Sequence, residues 1–328
     1  MKHPVPLLVF ALLSLGVFGC SGQAGNKPVK AAVAQSAHKF KMIDIPKVYT
    51  TPEERAKYLV THYWDNFNFS DTTAANLSES TESALVDYID VLPYTTEDVA
   101  FASIKTMLGK AEAADSVYFY FLDMYEKYLH DPNSPMRNEE YYIPVLEQAM
   151  DSPLVKEKTR TAALLALAQK NRLGHAATDF SYLTADGREG RLYGLKSPYT
   201  ILFFYNPDCE HCREVIGQMM GSSDLEAMLH SKRLALLAVD AENDFAAWKE
   251  HLSAMGKDWT VAYDKKQRIL SDEVYDLKAS PTIYLLDKDK KVLLKDTSFE
   301  RLMSYLKEHI SENTFSKDGG SPKTVKQG

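Results

Sequence analysis

The sequence of 328 residues predicts an all-α region followed by an α/β region. Apolar side chains recur every three or four residues between positions 46 and 173, which indicates amphipathic helices. After Gly174, short apolar runs alternate with helical patterns, which favours an α/β sheet. The apolar content of 45% is that of a soluble globular protein with about two domains. The net charge of −7 and the lack of a basic stripe argue against a nucleic-acid partner.

Residues 1–19 have the pattern of an export signal. Lys2 gives a positive start, and residues 7–18 are apolar but too short for a comfortable bilayer span. Gly19-Cys20 at its end resembles the lipobox of bacterial lipoproteins, which implies that Cys20 is lipidated and anchors the chain to a membrane. By analogy, Ser21 favours the outer over the inner membrane, so we expect a periplasm-facing lipoprotein. An ordinary secretory signal with an incidental cysteine is the alternative.

Residues 20–45 are rich in Gly, Ala, Lys and Gln without apolar periodicity, which is typical of a flexible tether. Residues 46–173 predict a helical domain with roughly five or six helices. Asp131-Pro132 is expected to end one of them, and Ser152-Pro153 to begin another that continues to Leu173. Core packing explains the aromatic stripes of these helices better than a ligand groove, because helical spacing alone predicts them.

Residues 174–313 predict the α/β domain, and residues 314–328 a disordered tail. Asp186-Gly187, between two short strand-like runs, is a hairpin signal. Continuous apolar runs at 199–205 and 234–239 are typical of buried strands. Further strands are expected at 259–263, 282–286 and 292–294, and helices after residue 208 and at 224–230, 245–255 and 300–310.

Cys209 and Cys212 are the only cysteines outside the export segment. They follow a predicted strand and open a predicted helix, whose N-terminus favours a thiolate. Disulfide exchange needs one exposed thiolate and a second thiol close enough to resolve the mixed disulfide. We therefore expect Cys209 to be the nucleophile and Cys212 the resolving thiol beneath it. Glu210 is expected to disfavour the thiolate, and a protonated His211 to favour it.

A cysteine pair at this spacing also occurs in zinc sites and in structural disulfides. A structural zinc site needs four ligands, usually from two close pairs, and this chain has no second pair. His230 and His251 lie on different predicted helices, so no metal is expected. A bridge across so short a loop restrains little of the unfolded chain. Redox chemistry is the favoured interpretation, and a structural disulfide is the alternative.

Ser280-Pro281 comes directly before the apolar run at 282–286, although a proline is unusual at a central strand. Together with the dithiol it resembles the thioredoxin superfamily, closest to the extracytoplasmic TlpA-like thioredoxins. The resemblance covers about residues 174–311 and implies a thioredoxin-like domain, with a central mixed sheet and flanking helices. It also implies that Pro281 is cis and that Ser280 faces the substrate. The helical region is similar to an uncharacterised N-terminal domain of lipoprotein thioredoxins in Bacteroidota.

Four positions depart from thioredoxin itself. Asp208 replaces a tryptophan, and Phe203 replaces the buried aspartate that assists proton transfer there. Glu210-His211 matches neither the Gly-Pro of thioredoxin nor the Pro-His of the strong periplasmic oxidants. The direction of electron flow is therefore open at this point.

The resemblance implies a thiol-disulfide oxidoreductase that acts on cysteine-containing exported proteins and needs no cofactor beyond the dithiol. It favours a reductase that is kept reduced by a membrane electron donor. The alternative is a non-catalytic lipoprotein that binds or scaffolds a partner, with a structural or vestigial disulfide. A peroxidase of the peroxiredoxin type would need a Pro-x-x-x-Thr-x-x-Cys arrangement, which residues 200–209 do not supply.

Overall fold

The computed structural model describes residues 40–73, 76–242 and 245–312. The predicted export signal, Cys20, most of the predicted tether and the predicted tail lie outside the described residues. Within those described ranges, no helix is both long enough and apolar enough to cross a membrane.

Six α-helices form the first domain in the part of the chain that the structure describes. They are α1 (Pro52–His62), α2 (Glu79–Val91), α3 (Glu97–Ala111), α4 (Asp115–Tyr125), α5 (Glu139–Asp151) and α6 (Thr159–Ala168). α1 begins at a capping box, in which the Thr51 hydroxyl accepts from the Glu54 amide and the Glu54 carboxylate accepts from the Thr51 amide. A π-helical turn, Glu126–His130, extends α4 as far as Asp131, so the predicted end at Asp131-Pro132 is confirmed.

The core of this helical domain is aromatic. Trp64 packs edge-on against Tyr88 and Phe121, with ring centroids 5.7 and 5.2 Å apart. The fully buried Tyr88 donates a 2.7 Å hydrogen bond to Ser103, which donates in turn to the Val60 carbonyl at 2.6 Å. Buried hydroxyls need such partners. The aromatic stripes therefore build the core, as their helical spacing predicts.

The predicted helix from Ser152-Pro153 to Leu173 is wrong at both ends. Ser152 is the C-cap of α5, and α6 runs only from Thr159 to Ala168. The Ser152 hydroxyl accepts a 3.3 Å hydrogen bond from the Leu154 amide, so it stabilises a turn. Serine is common both in turns and at helix starts, because its hydroxyl can bond to nearby backbone groups in either structure.

A mixed sheet is the centre of the second domain, with seven strands among the described residues. They are β1 (Ser181–Thr184), β2 (Glu189–Arg191), β3 (Tyr199–Tyr205), β4 (Leu234–Asp240), β5 (Thr260–Tyr263), β6 (Thr282–Asp287) and β7 (Val292–Leu294), in the order β2-β1-β5-β4-β3-β6-β7. The central strand β3 pairs parallel with β4 and antiparallel with β6. All its residues are buried, as its continuous apolar run predicts. The predicted hairpin forms β1 and β2, and Gly187 in its turn has a φ of +79°.

Five helices accompany this sheet within the ranges given above. They are α7 (Glu210–Met220), α8 (Ser223–His230), α9 (Phe245–His251), α10 (Arg268–Ser271) and α11 (Phe299–Glu312). Ile201, Phe203 and Tyr205 of β3 belong to a core that includes residues of α7, α8 and α11. Leu202 and Phe204 point into a second core on the other face, because successive strand residues alternate. The single turn α10 is absent from the predicted elements, since one helical turn carries little periodicity.

The helical domain and the sheet domain belong to one compact unit. After α6, the side-chain amide of Asn171 donates to the Val274 carbonyl at 2.8 Å and accepts from the Thr178 amide at 2.7 Å. Leu173 then forms a parallel bridge with Val292 of β7. The chain therefore enters the second domain along its edge strand.

We predict that Phe121→Ala lowers the free energy of unfolding by about 3–5 kcal/mol, because the fully buried ring leaves a cavity among other aromatic rings. Phe119 lies on the same helix but is 41% exposed, so Phe119→Ala is the control and should change stability by only about 0.5 kcal/mol. Chemical denaturation measures both. Equal losses in the two variants would contradict the assignment of the core.

Candidate active site

The dithiol and Ser280–Pro281 meet where β3 ends, α7 begins and β6 begins. β3 and β6 are antiparallel, with Phe204 opposite Thr282, so the residues before β6 lie beside the end of β3. The dithiol follows β3 and therefore lies next to Pro281, whose peptide bond with Ser280 is cis.

Cys209 is the N-cap of α7 and is only partly buried. Its sulfur accepts a hydrogen bond from the Cys212 amide, with a donor–acceptor distance of 3.3 Å. A helix N-terminus stabilises negative charge on a group placed there, because its first amides have no partner within the helix. The Cys209 sulfur is therefore both reachable and set in an environment suited to an anion.

Cys212 lies one turn further along α7 and is fully buried. Burial raises the pKa of the Cys212 thiol to about 12, and its hydrogen bond with Cys209 also raises it, whereas Ser280 lowers it. The Cys212 thiol is therefore protonated at neutral pH. The structure thus places one sulfur at the surface and the other beneath it.

Ser280 contacts both sulfurs with different atoms. Its carbonyl oxygen accepts from the Cys209 thiol at 3.6 Å, and its hydroxyl oxygen lies 3.2 Å from the Cys212 sulfur. Ser280 is nevertheless exposed, so a bound molecule can reach its backbone. The sequence indicated Ser280 as a residue that faces the substrate, but gave no sign of the contact between its hydroxyl and the buried thiol.

His211 and Glu210, the predicted tuning residues, are both exposed. The Nδ1 atom of His211 lies 3.0 Å from the Glu214 carboxylate on the next turn of α7. In the described part of the chain, neither residue forms a hydrogen bond to Cys209 or Cys212. Any influence on the dithiol therefore acts through space, and their tuning role stays a prediction.

A buried carboxylate lies on the strand next to β3, a feature that sequence reasoning missed. Asp240 of β4 is fully buried and pairs in register with Tyr205. Burial raises the pKa of Tyr205 well above its usual value, and the charges of Asp240 and Cys212 act in the same direction. Phe203, where thioredoxin has its aspartate, instead stacks on Tyr205 with centroids 5.6 Å apart. The sequence signal that could have identified this residue is that Asp240 is the one polar residue of β4 and lies at its end.

His230 and His251, the histidines weighed as metal ligands, lie on α8 and α9. His230 is exposed and lies 3.8 Å from Asp258. Across the residues that the structure describes, no three His, Cys, Asp or Glu side chains are grouped so that they could hold a metal ion.

The sheet order, the dithiol at a helix N-terminus and the cis-proline opposite it define a thioredoxin-like domain. The family described as "Thioredoxin-like" matches residues 197–292, and the "Domain of unknown function (DUF5106)" matches residues 19–171. A thioredoxin-like protein from Bacteroides caccae, known from a crystal structure, is 43% identical; the match covers 82% of this chain and 98% of that one, with a TM-score of 0.80. The chain therefore belongs to the thioredoxin-like family.

A curated relative has a named activity. The thiol-disulfide oxidoreductase ResA of Bacillus anthracis is 29% identical over 142 residues, which are 42% of this chain and 79% of that protein. The resemblance to the thioredoxin superfamily is thus confirmed. The match of an uncharacterised domain to the helical region is confirmed as well.

We predict that iodoacetamide at about pH 8 labels Cys209 at least about a hundredfold faster than Cys212 in the reduced protein. The reason is that burial raises the pKa of Cys212 to about 12, so its thiolate fraction is small at pH 8 and rises as the pH approaches that value. Peptide mass mapping over a pH series measures both sites. In the Cys209→Ser variant, Cys212 should remain slow, and rapid labelling there would contradict the assignment.

Proposed function

We propose that this chain is a thiol-disulfide oxidoreductase that exchanges disulfides with cysteine-containing exported proteins. The proposal rests on the different environments of the two cysteines. Cys209 is partly exposed at a helix N-terminus, whereas Cys212 is buried beneath it. Ser280 lies against both sulfurs. Similarity to the thiol-disulfide oxidoreductase ResA of Bacillus anthracis supports the same reaction class.

In the reductive direction, the Cys209 thiolate attacks one sulfur of a substrate disulfide. A bond forms between Cys209 and that sulfur, and the other substrate sulfur leaves and takes up a proton. Cys212 then loses its proton and attacks the Cys209 sulfur, which releases the second substrate thiol and closes the Cys209–Cys212 disulfide. Two electrons have passed from the dithiol to the substrate.

Ser280 serves both halves of this exchange. Its hydroxyl, 3.2 Å from the Cys212 sulfur, can donate a hydrogen bond to the thiolate that forms in the second step. Its exposed backbone, next to the cis bond of Pro281, is the proposed docking site for an extended substrate peptide. Glu210 and His211 are proposed to adjust the charge balance around Cys209 from the exposed side of α7.

The proposed direction is reduction, with a membrane electron donor that returns the dithiol to its reduced form. The proposed location is the periplasmic side of the outer membrane, in preference to the inner membrane, with Cys20 as the lipidated residue. The resemblance of Gly19-Cys20 to a lipobox supports this anchor. A scaffold lipoprotein with a structural or vestigial disulfide is the competing function.

We predict that Cys209→Ser abolishes turnover of a model disulfide, because no other thiol outside the export segment is exposed to attack it. A coupled assay that follows thiol release measures the rate. Ser223 is exposed on α8, so Ser223→Ala is the control for effects of mutation and purification. It should keep the wild-type rate. Wild-type turnover in Cys209→Ser would refute the mechanism.

We predict that Cys212→Ala accumulates mixed disulfides between Cys209 and its natural partners, since the resolving thiol is missing. Partners are recovered under non-reducing conditions and identified by mass spectrometry. The double variant Cys209→Ser/Cys212→Ala should recover none of them. The proposal predicts exported proteins with cysteines among the partners, and the same proteins recovered with both variants would argue against exchange.

A further inference from the structure

The segment that leads to Pro281 is held by the helical domain. We name residues 272–281, between α10 and β6, the approach loop. Directly after α6, the Lys170 ammonium donates to the Glu273 carbonyl at 2.7 Å. Asn171 donates to the Val274 carbonyl at 2.8 Å. Two carbonyls at the start of the approach loop are thus satisfied by side chains from the end of the helical domain.

The middle of the approach loop is held by an ion cluster. The Arg137 guanidinium, just before α5, lies 3.3 Å from the Asp276 carboxylate and 3.4 Å from that of Asp296. Arg137 and Asp276 are almost fully buried, with side chains 10% and 2% exposed. Asp296 follows β7, and the next residue, Thr297, donates to the Ile283 carbonyl of β6. One guanidinium therefore joins the helical domain to both loops beside the start of β6.

Two lysines complete the same cluster. Lys295 lies 2.5 Å from Glu139 of α5, and Lys278 lies 3.3 Å from Asp276. Arg137, Lys278 and Lys295 thus lie against the carboxyl groups of Glu139, Asp276 and Asp296. Burial raises the pKa of Glu139 to about 7 and also raises the pKa of Asp296. Removing Arg137 or Asp276 from such a buried cluster leaves its partner charge unpaired, which favours movement of the loop.

A third contact lies closest to the site. The Lys278 ammonium is 3.3 Å from the Nε2 atom of His130, the last residue of the π-helical turn. The His130 ring stacks on Tyr142 of α5, with centroids 4.9 Å apart. Lys278 stands two positions before Ser280, so the helical domain contacts the approach loop at its start, at its middle and two residues before Ser280.

We propose that the helical domain positions the approach loop against the dithiol, with Arg137 as the main positioning residue. The inference rests on the proposed exchange function and gives the helical domain a part in it. Ser280 touches the sulfurs at 3.6 and 3.2 Å, and a displacement of about 1 Å would break both hydrogen bonds. One terminal nitrogen of the Arg137 guanidinium lies within 3.7 Å of Glu139, Asp276 and Asp296, so this residue links the helical domain to the approach loop and to the segment after β7.

The test compares Arg137→Met with Arg172→Met. Arg172 is also largely buried in the helical domain, but it pairs with Glu140 and Glu97 of that same domain. Arg137→Met is expected to lower kcat/KM for a disulfide-bonded peptide on the order of tenfold to a hundredfold, mainly through KM. Arg172→Met should stay within about twofold of wild type.

Two further readouts separate positioning from general damage. The first attack on a small aromatic disulfide, followed as release of the first aromatic thiol, needs only the Cys209 sulfur, so Arg137→Met should leave its rate within about twofold of wild type. Arg137→Lys keeps the charge without the planar guanidinium and should restore part of the peptide KM. Wild-type KM for the peptide in Arg137→Met overturns the proposal, and so does an equal loss in Arg172→Met.

If Arg137→Met does not fold, Asp276→Asn replaces it. The asparagine oxygen can still accept from the Lys278 amide, as the Asp276 carboxylate does at 3.2 Å, while the charge facing Arg137 is removed. The same rise in KM supports the proposal, and an unchanged KM overturns it. If wild type itself does not reduce the peptide, the proposed function fails. In that case the positioning proposal is tested by amide hydrogen exchange of residues 277–281. Faster exchange in Asp276→Asn than in wild type supports the proposal, and unchanged exchange overturns it.

Discussion

The contacts between Ser280 and the two sulfurs are the interaction on which the site depends. They bring together the ends of three elements, β3, α7 and β6. β3 must be central and antiparallel to β6. Its six apolar or aromatic residues and its threonine are all buried, and this burial supplies the energy for that placement. The approach loop must then place Ser280 within hydrogen-bonding distance, and the ion cluster around Arg137 holds this loop from the other domain.

Burial separates the chemistry of the two cysteines, although they lie on one helical turn. Cys212 keeps its proton because its sulfur is removed from water, whereas Cys209 lies at the helix N-terminus next to unpaired amides. The sequence spacing predicts this division. The surroundings differ from those of thioredoxin: Phe203 is packed on Tyr205, and the buried carboxylate near the site comes from Asp240 on the neighbouring strand.

Local patterns predicted much of the fold and part of the site. The central strand was predicted to within one residue of its observed bounds, 199–205, because a continuous apolar run between polar residues has few other structures. The start of α6 was misplaced, because Ser152 serves turns and helix caps equally well. Arg137 could not be found from the sequence, since its partner Asp276 is 139 positions away and no local pattern links them. The cis bond at Pro281 came from family resemblance alone.

The most direct test of the central claim is the reduction potential of the Cys209–Cys212 pair. The protein is equilibrated in thiol–disulfide buffers of graded potential, alkylated and weighed by intact-mass spectrometry. A dithiol that exchanges with substrates predicts a single two-electron transition within the range of catalytic dithiols, about −120 to −270 mV. A value below about −300 mV without measurable exchange would contradict the claim, because it is the behaviour of a structural disulfide.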